Sequence, residues 1–145
     1  MTQLSWPDIF TDASELDFGA LLAEWPQVVA GPLGPIGASA FGDLFFQRQD
    51  GAVERLDVLE GGVHLVADNF EAFQRLMNDP QWQETNLLTS GIALLYERGV
   101  RRGPGQFYGF APHPALTGRI EWGHVMPLDA LVWHSVCSQT LSSPA

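Results

Sequence analysis

The chain has no lysine, a single cysteine and no apolar run long enough to cross a membrane. Its seven basic residues are all arginines, whereas 17 residues are acidic, so the formal net charge at pH 7 is −10. Without lysine, a Walker phosphate-binding loop and Schiff-base catalysis are both excluded. Cys137 has no second cysteine with which to form an internal disulfide. A transmembrane helix needs about 20 consecutive apolar residues, so we expect no membrane span.

The start of the chain also lacks the basic segment and following apolar segment of a secretion signal. Together with the lone cysteine, this predicts a cytoplasmic location. A chain of 145 residues has the length of one domain and buries roughly 68% of its unfolded surface on folding. We therefore expect a single compact domain over residues 1–145, stable without a metal or a disulfide.

The first third of the chain is purely acidic, because no arginine precedes Arg48. The carboxylates of this part are Asp8, Asp12, Glu15, Asp17, Glu24 and Asp43. Nucleic acids are bound largely through Lys and Arg, so this charge disfavours a nucleic-acid partner. The same charge would speed encounter with a basic protein. For an acidic domain in general, however, the commoner reason for such a charge is solubility.

Turn signals and apolar spacing predict the first half of the fold. A first helix is expected over residues 13–25, and the prolines and glycines of residues 31–37 predict a loop. Asp50-Gly51 lies between two apolar runs, which strongly indicates a hairpin with a tight two-residue turn. With a second turn at Gly61-Gly62, we expect a three-stranded antiparallel meander from about residue 41 to residue 67.

Two helices are expected next. Asp68 and Glu71 resemble a capping box at the start of the first, which Pro80 ends. Its apolar stripe should pack on the sheet and consists of Phe70, Phe73, Leu76 and Met77. The second helix is expected over residues 81–98, with Gly91 as a tolerated weak point and Gly99 as its C-terminal stop.

The end of the chain predicts two strands and a closing helix. The strands are expected at residues 106–110 and around residues 119–122. Pro127 suits the first turn of a helix over residues 128–140. Its expected inner face consists of Leu128, Leu131, Val132, Ser135, Val136 and Gln139. The predicted class is α+β: an antiparallel meander sheet packed against several helices, with an acidic N-terminal helix and loop in residues 1–38 and a core in residues 39–141.

No pattern of side chains indicates catalysis, a metal or a cofactor. The four histidines lack the spacing of a zinc site. Cys137 lies three residues after His134 on the predicted closing helix and is interpreted as a core residue. Pairs of carboxylates, such as Asp43 with Asp57 or Glu54, arise by chance in any acidic protein and are no evidence for acid–base chemistry.

Two further features could bind a partner. Arg101-Arg102 could hold an anion, although ion pairs with neighbouring acids such as Glu97 are the simpler interpretation. Most of the five tryptophans should be core residues, and Trp6 is the one expected to be exposed.

The order of motifs resembles a known family. The landmarks are Phe41-Gly42-Asp43-Leu44-Phe45-Phe46, Asp50-Gly51, Leu56-Asp57, Phe70-Glu71-Ala72-Phe73 and Gly105-Gln106-Phe107-Tyr108-Gly109-Phe110. Together they are similar to the C-terminal domain of bacterial type VI secretion immunity proteins, long known as a domain of unknown function. The family's later Pro-Pro, Leu-Gly-Gly and Gly-Gln-Ile segments correspond to residues 112–114, 116–118 and 138–140, with substitutions.

The resemblance implies a protein that binds and neutralises a cognate effector toxin domain, encoded by the adjacent gene, by direct contact. Such a partner would be basic, and the expected contact residues are Trp6, Asp8, Asp12, Glu15 and Asp17. One alternative is a small enzyme or ligand sensor with a pocket near His113 and His124. Another is a structural component of a secretion assembly.

Overall fold

A computed structural model describes residues 4–142 as seven α-helices and seven β-strands. The strands are β1 (Phe10–Asp12), β2 (Gly34–Ser39), β3 (Leu44–Gln47), β4 (Val53–Leu56), β5 (Val63–Ala67), β6 (Gln106–Phe110) and β7 (Val125–Asp129). The helices are α1 (Trp6–Ile9), α2 (Phe18–Leu22), α3 (Phe70–Met77), α4 (Pro80–Leu87), α5 (Thr89–Glu97), α6 (Pro114–Thr117) and α7 (Ala130–Ser142). The ends of the domain expected over residues 1–145 lie outside the described residues.

The strands form two antiparallel sheets. The larger has the order β1-β2-β3-β4-β5, and the smaller consists of β6 and β7. The Tyr108 amide on β6 donates to the Ala40 carbonyl oxygen just after β2, which connects the two sheets. The predicted α+β class, the meander and the N-terminal and C-terminal helices are confirmed. No helix within residues 4–142 is long and apolar enough to span a membrane.

The loop prediction for residues 31–37 is wrong for its second half, which belongs to β2. Pro35 pairs with Phe46 on β3, whereas β1 pairs with β2 only from Gly37 onward. Pro35 therefore lies where β2 has one neighbouring strand, a position in which sheets tolerate proline. Gly37 is required here, because a Cβ would lie 2.4 Å from the Phe10 ring and 2.4 Å from the Thr11 carbonyl oxygen.

The hairpin at Asp50-Gly51 is confirmed, but its loop is one residue longer than predicted. The Arg48 amide donates to the Ala52 carbonyl oxygen, and the Gly51 amide donates to the Arg48 carbonyl oxygen. Three residues, 49–51, therefore form the loop, and Gly51 has a φ of +95°. Three-residue hairpin loops place glycine in this left-handed region because no Cβ clashes there.

The first helix is shorter than the predicted residues 13–25. The Asp12 carboxylate accepts from the Ser14 amide at the start of a 3₁₀ turn, Ala13–Glu15. The Asp17 carboxylate accepts from the Ala20 amide and begins α2. Two capping aspartates thus start two short elements where apolar spacing alone predicted one.

The two central helices also differ from the prediction. Asn69, and not Asp68, caps α3 by accepting from the Ala72 amide at 2.8 Å. The helix expected over residues 81–98 divides into α4 and α5 at Leu88, which has a φ of +57°. Glu84 takes over the capping of α5, because its carboxylate accepts from the amide and the hydroxyl of Ser90.

Gly91 on α5 is a packing position, so its interpretation as a tolerated weak point is wrong. A Cβ at Gly91 would lie 2.0 Å from the Trp122 ring. We expect Gly91→Ala to lower the free energy of unfolding by about 1–2 kcal/mol, although alanine favours helices, because the Trp122 ring must move. Gly19 on α2 is the matched control, since a Cβ there meets only the Asp17 carboxylate at 3.9 Å. Urea unfolding should show Gly19→Ala unchanged or stabilised; equal effects of the two variants would contradict this packing.

The end of the chain departs most from the prediction. The strand at residues 106–110 is confirmed as β6, but the strand expected around residues 119–122 is wrong: the next strand is β7, which pairs with β6. Pro127 lies within β7 opposite Tyr108, and not in a helix. The Tyr108 amide donates to Ala40 and not to β7, so Tyr108 and Pro127 form a non-hydrogen-bonded pair, in which the missing N–H of Pro127 costs no bond between β6 and β7.

Helix α7 also presents the opposite face to that predicted. Its buried residues are Ala130, Trp133, His134 and Cys137. Leu131, Val132 and Val136, expected inside, are 43%, 50% and 39% exposed. Trp133 Nε1 donates to the Phe41 carbonyl oxygen at 2.7 Å, and His134 Nε2 bonds to the Gly42 carbonyl oxygen at 2.8 Å. The rings of Trp133 and His134 can be buried because these carbonyl oxygens accept their N–H groups.

Candidate functional site

Trp6 is exposed and held in a fixed orientation, as a partner-binding residue requires. Its exposed fraction is 44%, and its ring stacks on Phe10 with centroids 5.2 Å apart. Helix α1 begins with a capping box in which the Ser5 amide donates to the Asp8 carboxylate at 2.7 Å. The ring therefore faces solvent from a short, capped helix.

Contacts from the second half of the chain fix this N-terminal segment. Tyr96 on α5 donates its hydroxyl to the Asp8 carboxylate. Arg102 donates through Nη1 to the Thr11 hydroxyl and through Nη2 to the Pro7 carbonyl oxygen, both at 2.9 Å. Arg101 stacks on the Tyr96 ring at 4.1 Å. Arg102 thus anchors the segment, Arg101 stacks on Tyr96, and the predicted pairing with Glu97 is wrong.

Trp6 borders a surface groove, which we call the aromatic groove. It measures about 270 Å³ and is lined by Trp6, Phe10, Asp12, Ile36, Phe70, Phe73, Gln74, Met77 and Asn78. Five rings, Trp6, Phe10, Phe45, Phe73 and Phe70, contact one another in succession. The three inner rings are buried, whereas Phe70 is 40% exposed. Two exposed rings, Trp6 and Phe70, and two buried ones, Phe10 and Phe73, therefore line the groove.

The aromatic groove carries negative charge. Asp12 accepts from the hydroxyl and the amide of Ser14, which holds the pKa of its carboxyl below the ordinary value. The described residues that line the groove include no arginine or histidine. An exposed tryptophan beside an ionised carboxylate is a suitable surface for a cationic or amphipathic group of a partner.

The five predicted contact residues do not line one groove. Trp6 and Asp12 line the aromatic groove, whereas Asp8 and Glu15 line a second cleft of about 270 Å³ beside Arg102. Asp17 is exposed as the cap of α2 and borders neither.

The role of Asp8 is structural as well as electrostatic. Burial raises the pKa of the Asp8 carboxyl, but hydrogen bonds from Tyr96 and Ser5 outweigh it, so the pKa lies below the ordinary value.

Phe70 is the groove residue that sequence reasoning misplaced. It was assigned to the buried stripe of α3 because it shares the helical spacing of Phe73 and Met77. Those two residues are 2% and 7% exposed, whereas Phe70, the first residue of α3, is 40% exposed. The sequence signal that could have found it is its position directly after the capping residue Asn69.

The histidines do not form the predicted alternative pocket. His113 is 1% exposed; its Nε2 bonds to the Val58 carbonyl oxygen and its Nδ1 accepts from the Ala115 amide. His124 is exposed and lies 3.5 Å from a carboxylate oxygen of Glu121. The groove under this loop is lined by neither ring. Within residues 4–142, no three His, Cys, Asp or Glu residues are placed to hold a metal ion.

His134 and Cys137 are core residues of α7. Burial lowers the pKa of His134 to about 4, and its Nδ1 accepts from Trp25 Nε1 at 2.9 Å. Burial, with the charges of Asp43 and Asp57, raises the pKa of the Cys137 thiol. A neutral, enclosed thiol is a poor nucleophile, so the core interpretation of Cys137 is confirmed.

Asp43 and Asp57 do lie together, joined by Arg55. The nearest carboxylate oxygen of each is 3.9 Å from a nitrogen of Arg55. Burial, followed by the charge of Asp57, raises the pKa of Asp43 to about 7, although Arg55 and the Val58 amide oppose the shift. The Asp57 carboxylate caps the next turn by accepting from the amides of residues 59 and 60. Both groups therefore hold the turn between β4 and β5.

The largest cavity lies elsewhere, between the end of α2, the turn at Gly61-Gly62 and the end of α7. It measures about 570 Å³, and its lining includes Trp25, Leu141 and the carboxylates of Glu24 and Glu60. None of the predicted contact residues lines it.

Comparison with known proteins supports the fold alone. No family model and no curated protein matches the chain. Among solved structures, the chain is similar to the crystal structure of Atu4351 from Agrobacterium tumefaciens, with 17% identity and a TM-score of 0.53. The similarity covers 87% of this chain and 63% of that chain, so this chain spans less than two thirds of the length of Atu4351.

Proposed function

We propose that this protein is an immunity protein that binds a cognate type VI secretion effector toxin in the bacterial cytoplasm and neutralises it by direct contact. The observation that carries the proposal is the aromatic groove, with the exposed rings of Trp6 and Phe70 and the Asp12 carboxylate in its lining. The order of sequence landmarks described above, which resembles that of type VI secretion immunity proteins, is the reason for proposing this family. Large exposed aromatic residues on a rigid base are the residues that dominate protein–protein binding energy.

Charge defines the kind of partner. The chain has a formal net charge of −10, and no arginine precedes residue 48. A basic toxin domain would be attracted to the N-terminal segment, and its association would be faster at low salt. An interface of standard size, on the order of 1,600 Å² in total, would extend beyond the groove onto the exposed acids Glu15 and Asp17.

Co-expression with the protein encoded by the adjacent gene tests the proposal. We expect a stable one-to-one complex on co-purification and rescue of growth when the toxin is induced. A chain that neither binds this protein nor restores growth would overturn the proposed function. Self-association without toxin binding would favour a structural component instead.

Removing charge without removing the caps tests the acidic surface. Asp12 and Asp17 cap local structure through their side-chain oxygens, so reversing their charge would also disturb the fold. Asparagine caps as well as aspartate, and we therefore choose Asp12→Asn, Glu15→Gln and Asp17→Asn together. We expect association with the toxin to slow by about tenfold at low salt, because steering is lost.

The thermal midpoint of this triple variant should stay within about 3 °C of the wild type, since surface substitutions that keep their caps have small effects. Stopped-flow association at low and high salt measures the change. The matched control is Asp50→Asn, because Asp50 also accepts from a backbone amide but lies in the β3–β4 loop. An unchanged rate at low salt for the triple variant would remove this surface from the interface.

A further inference from the structure

The aromatic groove has the dimensions of a site for one side chain. Its volume of about 270 Å³ lies below the roughly 300–1,000 Å³ of pockets that hold drug-sized ligands. Its floor is formed by Phe10, Phe73 and Met77, which are at most 7% exposed. Trp6 and Phe70, which also line it, are 44% and 40% exposed, so both rings are accessible to a side chain that enters the groove.

We infer that the aromatic groove binds the guanidinium group of an arginine side chain of the partner, between Trp6 and Phe70 and beside the Asp12 carboxylate. This inference rests on the proposed function for the identity of the partner, but the chemistry rests on the groove itself. A planar guanidinium stacks on aromatic faces and donates to a carboxylate at the same time. Trp6 has the ring type that attracts cations most strongly.

Charge complementarity favours this occupant over the others. An apolar side chain would cover the Asp12 carboxylate without giving it a hydrogen bond, and such desolvation is costly. A second copy of this chain would bring another net charge of −10, which opposes self-association. The protein already uses the same contact internally, since Arg101 lies 4.1 Å from the Tyr96 ring centre and Arg48 lies 5.0 Å from that of Phe46.

The inference can be tested on the isolated protein by NMR titration with N-acetyl-arginine amide. The neutral isostere N-acetyl-citrulline amide serves as the matched probe. We expect arginine to cause saturable shifts of the Trp6 indole N–H and of the backbone amides of Asp12, Phe70 and Gln74. Citrulline should bind about tenfold more weakly, because the cation–π attraction and the charge of the hydrogen bond are lost. The Trp6 signal is assigned from the spectrum of Trp6→Phe.

Variants separate binding in the groove from general attraction to an acidic surface. Trp6→Ala and, independently, Phe70→Ala should abolish saturation, and Asp12→Asn should weaken it while keeping the cap of the 3₁₀ turn. Glu60→Gln, which removes a carboxylate from the largest cavity, should leave the titration unchanged. The dispersion of the NMR spectrum reports whether each variant folds. If Trp6→Ala does not fold, Phe70→Ala still tests whether arginine binds in the groove.

The outcomes distinguish this inference from the proposed function. Non-saturating shifts spread over the acidic surface, or equal shifts with citrulline, would overturn the arginine site even if the toxin complex forms. Saturable binding in the groove by a chain that does not rescue growth would support the arginine site and overturn the immunity function.

Discussion

Replacement of Trp133 by alanine is expected to lower the free energy of unfolding by about 4 kcal/mol. Trp133 is fully buried on α7, and its indole N–H donates to the Phe41 carbonyl oxygen at 2.7 Å. Its ring packs against Gly42 and Gly109, which leave room for it because a Cβ at either position would lie 2.9 Å from the ring. Removing the ring would leave a large cavity and an unpaired carbonyl oxygen between the helix and both sheets.

The neighbouring residue is the control for the orientation of α7. Val132 is 50% exposed, so Val132→Ala should change the free energy of unfolding by less than about 0.5 kcal/mol. Apolar spacing alone predicts the reverse order, with Val132 inside. Urea unfolding of both variants therefore measures which face of α7 is buried; a larger loss for Val132→Ala would contradict the structure.

The second large effect concerns pH. Replacing Asp43 by asparagine is expected to make the free energy of unfolding rise by about 3 kcal/mol between pH 4 and pH 6.5, whereas that of the wild type changes much less. The reason is that Asp43 and His134 titrate in opposite senses on folding. Burial raises the pKa of Asp43 from 3.8 to about 7, and burial lowers the pKa of His134 from 6.5 to about 4.

The sign follows from proton binding. Between pH 3.8 and about 7, the folded state binds the extra proton at Asp43, so this group's contribution to stability is lost as the pH rises. Between pH 6.5 and about 4, the unfolded state binds the extra proton at His134, so its contribution is lost as the pH falls. The two slopes largely cancel in the wild type. His113, whose pKa burial also lowers, adds a slope of the same sign as that of His134 to both proteins, so the difference between variant and wild type reports Asp43.

Urea unfolding at several pH values between 4 and 7.5 measures this effect. Asp50→Asn is the matched control, since Asp50 is exposed in the β3–β4 loop and caps the Ala52 amide as asparagine can. The control should follow the wild type. If the free energy of unfolding of Asp43→Asn and of the wild type changed with pH in the same way, burial would not raise the pKa of Asp43, and the prediction would be contradicted.

The sequence predicted those features that depend on local chemistry. The hairpin at Asp50-Gly51, the turn at Gly61-Gly62 and strand β6 are all present, because turn residues and strand propensity act over a few residues. The absence of lysine and the acidity of the first third of the chain are likewise properties of the sequence alone. Trp6 was predicted to be exposed, and it is, because it lies in a polar N-terminal stretch.

Tertiary structure decided which side of each element is buried. Helix α7 buries Trp133 and His134, since carbonyl oxygens of residues 41 and 42, over 90 residues away in sequence, accept their N–H groups. Phe70 shares its helical spacing with buried residues but is 40% exposed at the start of α3. Burial and hydrogen bonding depend on partners distant in sequence, and no local pattern encodes them. The acidic composition therefore underlies the proposal of a basic partner, whereas only the fold brought Trp6, Asp12 and Phe70 together in the groove proposed as its site.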